Sequence, residues 1–149
     1  MKRKLFFQIL LLAGILNAAP AWTTEEKATE QVKQEGKEML QALSGYTVEQ
    51  RDEALRAAKT ALDSLDTRIE ALEKDVDTRW DSMDKVAREQ ARASLKELHK
   101  QRAQASEWYG SLKSSTGAAW EHMKKGFSEA YNDLSAAWKK SKQEFNPEK

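Results

Sequence analysis

Residues 46–109 contain neither glycine nor proline, and an apolar repeat of seven runs through them. Leu55, Leu62, Ile69, Val76 and Met83 recur at that interval, while Ala58, Leu65 and Leu72 stand three residues after the first three of them. Together they form an a/d seam of the kind that joins paired helices. One unbroken helix over this stretch would extend roughly 100 Å at about 1.5 Å per residue. That exceeds the width of a globule built from a chain of 149 residues. The stretch therefore either folds back as a hairpin or projects as a rod that pairs with another chain. Both readings predict an all-α protein, an elongated helical hairpin or coiled coil, with one long central helix.

The N-terminus points to export. Lys2, Arg3 and Lys4 are basic, residues 5–16 are apolar apart from Gln8, and residues 17–21 are small or polar. This is the three-part layout of a secretory signal peptide. Ala19-Pro20-Ala21 puts small residues at the −3 and −1 positions, which predicts cleavage between Ala21 and Trp22 and a periplasmic or secreted product. The apolar run is shorter than the about 20 residues of a spanning helix. The chain has no cysteine, so disulfides and lipid attachment through cysteine are excluded, and helix packing alone must hold the exported protein together. Removing the leader lowers the basic residues from 25 to 22 against 24 acidic ones, a formal charge of −2. A protein that binds nucleic acid through electrostatics would carry a strong basic excess instead.

Three segments follow the leader: a short polar helix over 22–45, the long helix over 46–113, and a C-terminal amphipathic helix over 114–149. Thr23 with Glu26 fits a capping box, and the first helix has a thin apolar face of Val32, Met39, Leu40 and Leu43. Gly36 weakens it by about 1 kcal/mol relative to alanine. Gly45 is placed to end it as a left-handed C′ residue, and Thr47 with Gln50 forms a second capping box. Along the long helix, Asp52/Arg56, Glu70/Lys74, Asp75/Arg79, Asp81/Lys85 and Asp84/Arg88 place an acid four residues before a base. Each such pair supports helix by about 0.2–0.5 kcal/mol. Residues 75–84 are rich in poor helix formers, and the apolar phase slips there to a second register of Ala91, Leu98, Ala105 and Leu112. With no Gly, Pro or Asn at the slip, a coiled-coil stutter within a continuous rod is favoured over a hairpin bend.

From Tyr109 the period becomes eleven. Tyr109/Leu112, Trp120/Met123 and Tyr131/Leu134 repeat an aromatic followed by a large apolar residue, with the small residues Ser115, Gly126 and Ala137 three positions later. The last helix, capped at Thr116, gains a wide face of Trp120, Met123, Phe127, Tyr131, Leu134, Trp138 and Phe145. Packing against the second half of the long helix, near Trp108 and Leu112, is the first account of this face. The second is insertion into a lipid interface, with Lys124, Lys125, Lys139, Lys140 and Lys142 meeting anionic headgroups. The third is a groove for a partner protein, or the capture of unfolded clients.

The segments Leu95-Lys-Glu-Leu98, Lys100-Gln-Arg102, Ser115-Thr-Gly-Ala-Ala-Trp120-Glu-His-Met-Lys-Lys-Gly126-Phe and Ala136-Ala-Trp-Lys-Lys-Ser-Lys-Gln-Glu-Phe145 resemble a family of small bacterial coiled-coil stress-response proteins. The likeness covers about residues 66–145 and is distinctive over 115–127. This chain departs from the family pattern at Ala118, where an acidic residue is usual, and in carrying an export signal. The resemblance implies a helical, non-enzymatic protein induced by stress. The eleven-residue rhythm is also similar to that of lipid-binding apolipoprotein and desiccation-protectant helices.

Catalytic and metal-binding patterns are missing from the sequence. His99 and His122 are its two histidines, with no cluster at ligand spacing. Asp75-Val-Asp77-Thr-Arg79 opens like a calcium loop, but Arg79 stands at the third ligand position and the turn glycine is missing. There is no glycine-rich phosphate loop. The expectation is a protein that is not an enzyme, needs no cofactor and does not bind nucleic acid. It is expected to form homo-oligomers through the Leu55–Met83 seam and to meet client proteins or a membrane surface.

Overall fold

A computed structural model of the chain describes residues 21–145, with side chains from Lys27 onward. The signal peptide expected over 1–21 lies outside the described residues except for Ala21. Four α-helices make up the described chain: α1 Ala21–Gly45, α2 Arg51–Arg79, α3 Lys85–Ser114 and α4 Trp120–Glu144. Short 3-10 turns, Val48–Gln50 and Trp80–Ser82, precede α2 and follow it, and no strand occurs among the described residues. The chain divides into two units, Met1–Gln31 and Val32–Lys149. Of the first, the described part is the opening of α1, in which Lys27, Glu30 and Gln31 are exposed. Thr23 already lies within that helix, so the cap expected at Thr23 does not mark its start.

Within the second unit, the stretch read as one long helix is two. The break falls in the aspartate-rich slip, in place of the continuous stutter that the sequence pattern favours. Side chains take over backbone groups there. Ser82 Oγ donates to the Arg79 carbonyl at 2.8 Å, Met83 is extended, and Asp84 accepts the Ala87 N–H at 2.7 Å as the N-cap of α3. Arg88, expected to pair with Asp84, instead donates to the Trp80 carbonyl at 3.0 Å. The guanidinium groups of Arg88 and Arg92 stand 5.5 and 4.9 Å from the Trp80 ring centre. Short polar side chains that satisfy the backbone locally end a helix without glycine or proline. Of the five expected acid–base pairs, Asp75–Arg79 forms at 2.7 Å.

The contacts between helices run in opposite sequence directions. Arg102 Nε reaches Asp66 at 2.6 Å and His99 Nε2 reaches Glu73 at 2.7 Å, while Arg51 donates to the Ser115 carbonyl. Moving up α3 thus means moving down α2. Glu35 of α1 accepts from Ser64 and Arg68 of α2, each at 3.0 Å. The largest helix contact is between α3 and α4.

The apolar patterns fill this interior. Leu62, Leu65, Ile69, Leu72 and Val76 are buried, while Leu55 and Met83, at the ends of the seam, are half-buried. Ala91, Leu98, Ala105 and Leu112 are each 0 % exposed, so the second register is the inward face of α3. Alternating alanine and leucine lets α3 lie close to its neighbours while still filling space. Full burial of a leucine or isoleucine side chain contributes roughly 1.5–3 kcal/mol.

Candidate functional site

The three sequence readings of the α4 face differ in where its aromatic residues lie. Trp120, Phe127, Tyr131, Leu134, Trp138 and Phe145 are buried and Met123 is half-buried. Tyr109 and Phe127 meet edge to face at 6.5 Å, and Phe127 lies 6.3 Å from Tyr131. Trp108 of α3 lies against the backbone of α4 at Gly126, where an added Cβ would stand 2.2 Å from Trp108 Cζ3. The packing expected near Trp108 and Leu112 is therefore the observed one.

Lys124, which the sequence groups with the headgroup-seeking lysines, has a buried side chain. Its Nζ donates to the carbonyls of Ser44 at 3.2 Å and Tyr46 at 2.9 Å, and pairs with Glu121 at 3.0 Å. Trp120 Nε1 donates to the same Tyr46 carbonyl at 2.9 Å. The orphan carbonyls at the end of α1 are thus capped by a cation from α4, where the helix dipole favours positive charge. No described glycine has a positive φ, so the left-handed cap expected at Gly45 is not used. The signal for this joint was in the chain. Lys124 falls four residues after Trp120 and three before Phe127, on the apolar face, where an unpartnered lysine would be costly.

The second expected capping box is present in part, with the Thr47 N–H donating to Gln50 Oε1 at 3.1 Å. Around it, the segment 115–127 ties the turn between α1 and α2 to the turn between α3 and α4. Ser115 accepts from Arg51, Trp120 and Lys124 hold Tyr46, and Gly126 admits Trp108. The most distinctive residues of the chain thus have structural employment.

Two open grooves flank α1 within the second unit. One, of about 490 Å³, lies between α1 and α4 and is lined by Lys33, Lys37 and Lys139 with Val32, Leu40 and Tyr131. The other, of about 610 Å³, lies between α1 and α2 and carries Glu35, Glu38 and Glu53 against Arg56. Burial raises the Tyr131 hydroxyl above its ordinary pKa; the Glu35 carboxylate adds to this and the Arg68 cation opposes it. The hydrogen bond to Asp66 raises Arg102.

The histidines stand apart, His99 on Glu73 and His122 edge-on to the Trp108 ring at 5.9 Å. No group of three His, Cys, Asp or Glu residues among those described could hold a metal ion. No described helix is long and apolar enough to cross a membrane. Compared with protein-family models, with curated proteins and with solved structures, the chain matches none.

Proposed function

We propose that the protein is an exported, non-catalytic component of the envelope stress response that acts by self-association and by binding partner or client proteins. In this reading the helices form an up-and-down antiparallel bundle of helical hairpins. The opposed running of the Asp66–Arg102 and Glu73–His99 pairs along α2 and α3 supports that arrangement. The observation that carries the functional reading is the fate of the apolar surface. Among the described residues Val86, 64 % exposed, is the one large hydrophobic side chain left open to solvent. A helix that seeks a lipid interface must present its aromatic residues, and here they are spent on the interior. What remains outside is a mixed-charge surface and two polar-rimmed grooves, the equipment of a protein that binds other proteins. The resemblance over 66–145 to stress-response proteins agrees with that role.

The test combines three measurements on the purified protein. Light scattering of a heat-denatured reporter enzyme should fall when the protein is added at near-equal amounts, and multi-angle scattering should show oligomers growing with concentration. A concentration-independent monomer that leaves reporter aggregation unchanged refutes the reading. So does flotation with vesicles that is lost in Trp120→Ala plus Trp138→Ala while that variant stays folded.

A further inference from the structure

Residues 32–79 and 85–145 are joined along the chain by one turn, 80–84. Everything else that holds them together is noncovalent. Asp66 pairs with Arg102, Glu73 with His99, Arg51 donates to the Ser115 carbonyl, and Trp120 and Lys124 donate to the Tyr46 carbonyl. Each of these contacts joins a residue of the first half to one of the second. A second copy of the chain presents the same two surfaces, so two molecules that exchange halves can remake every one of them. The turn decides between the closed and the exchanged form.

Little holds the turn bent. It has no glycine or proline, and no residue in it has a positive φ. Trp80 is helical, at φ −53° and ψ −48°. Met83 and Asp84 are extended through ψ, at 143° and 175°, while their φ of −80° and −75° stays close to the helical value of about −63°. Rotation about ψ at these two residues therefore returns them to helix. The bonds that oppose it are local: Ser82 on the Arg79 carbonyl, Asp84 on the Ala87 N–H and Arg88 on the Trp80 carbonyl. None of them reaches α1 or α4.

The sequence, in contrast, runs straight through. Val76, Trp80, Met83, Ala87 and Ala91 follow at intervals of four, three, four and four, the spacing of one helical face. In the closed chain this stripe is buried at its ends, Val76 and Ala91, and only half-buried at Trp80, Met83 and Ala87. Val86, the exposed hydrophobic residue, stands beside that weak middle. A continuous helix over 51–114 would be roughly 96 Å long. Laid antiparallel beside the same helix of a second copy, it covers the middle of each stripe with the middle of the other.

We propose that the protein dimerises by exchanging halves. Helices α2 and α3 fuse across the turn into one helix, residues 32–79 of each copy close on residues 85–145 of the other, and the two Trp80–Met83 segments meet at the two-fold axis. This inference rests on the self-association proposed above and gives it a route.

The experiment reads whether the halves of one chain stay together. The ladder from Asp66–Arg102 to Arg51–Ser115 puts Lys59 opposite residues 107–109, and Lys59 and Glu107 are both exposed. Lys59→Cys plus Glu107→Cys therefore takes a donor and an acceptor dye, with no native cysteine to compete. The labelled protein is unfolded with an excess of unlabelled protein, refolded at high concentration and separated by size. Energy transfer should be efficient in the monomer and lost in the dimer, where the labels stand roughly 70 Å apart along one helix. Asp84→Ala removes one cap per chain and should tighten dimerisation about thirtyfold, about fivefold for each cap. Lys85→Pro keeps Asp84 and suits the first position of α3, but it bars helix across the turn. That variant should remain a closed monomer, with circular dichroism verifying its helices. A dimer that retains transfer within its labelled chain overturns the exchange and leaves self-association standing. So does a Lys85→Pro variant that dimerises like the parent. Monomers at every concentration, in the parent and in Asp84→Ala, overturn both.

Discussion

Gly126→Ala sets two effects against each other, and their magnitudes decide the sign. Position 126 lies inside α4, where alanine is favoured over glycine by about 1 kcal/mol. Helix propensity alone therefore predicts a more stable protein. The added Cβ, however, would stand 2.2, 2.4 and 2.5 Å from Cζ3, Cε3 and Cη2 of Trp108. Carbon atoms in contact prefer about 3.5–4.0 Å, so a rigid ring has to leave. An indole buries roughly 150–250 Å², and losing about half of that at about 25 cal/mol/Å² costs roughly 2–3 kcal/mol. The edge contact of Trp108 with His122 goes with it. The net expectation is destabilisation by about 1–2 kcal/mol, read as a lower urea midpoint at constant slope. In a Trp108→Ala background the obstruction is gone, and the same Gly126→Ala change should stabilise by up to about 1 kcal/mol. This inversion of sign is the test. Stabilisation by Gly126→Ala in the parent protein would refute the close approach of Trp108 to the α4 backbone.

Other consequences follow from the joint at Tyr46 and from Tyr131. Trp120→Phe should cost about 1 kcal/mol and Lys124→Met about 2 kcal/mol in chemical denaturation, since each removes a donor to a carbonyl near the end of α1. Combined, they strand the Tyr46 carbonyl, so the double variant should lose more than the sum; simple additivity would refute the shared-acceptor reading. Tyr131 predicts an alkaline instability. Its hydroxyl is raised in the folded protein, chiefly by burial, so the folded chain holds this proton to higher pH than the unfolded chain. The contribution is fully present below the unfolded value of about 10 and is lost as pH rises through the folded value. Tyr131→Phe should flatten the fall of stability on that alkaline limb, and an identical pH profile would contradict the assignment.

The pattern of apolar residues determined much of this protein. Heptads that recur at Leu62, Ile69 and Val76, and again at Ala91, Leu98, Ala105 and Leu112, specify helical faces wherever the helices end up, because burial follows the 3.6-residue turn. Aromatic residues in the eleven-residue rhythm of α4 likewise specify an inward face. Periodicity is a local property and does not say what each face meets. Whether residues 75–84 continue a rod or close a turn depended on Ser82, Asp84 and Arg88 capturing backbone groups, a balance of a few hydrogen bonds that composition leaves open. The tertiary fold alone brought α4 beside the end of α1, and so turned Lys124 from a surface charge into a cap. It also placed Trp108 over Gly126 and drew Lys33, Lys37 and Lys139 to one groove. Those residues are separated by long stretches of chain, and only helix packing sets the distances between them.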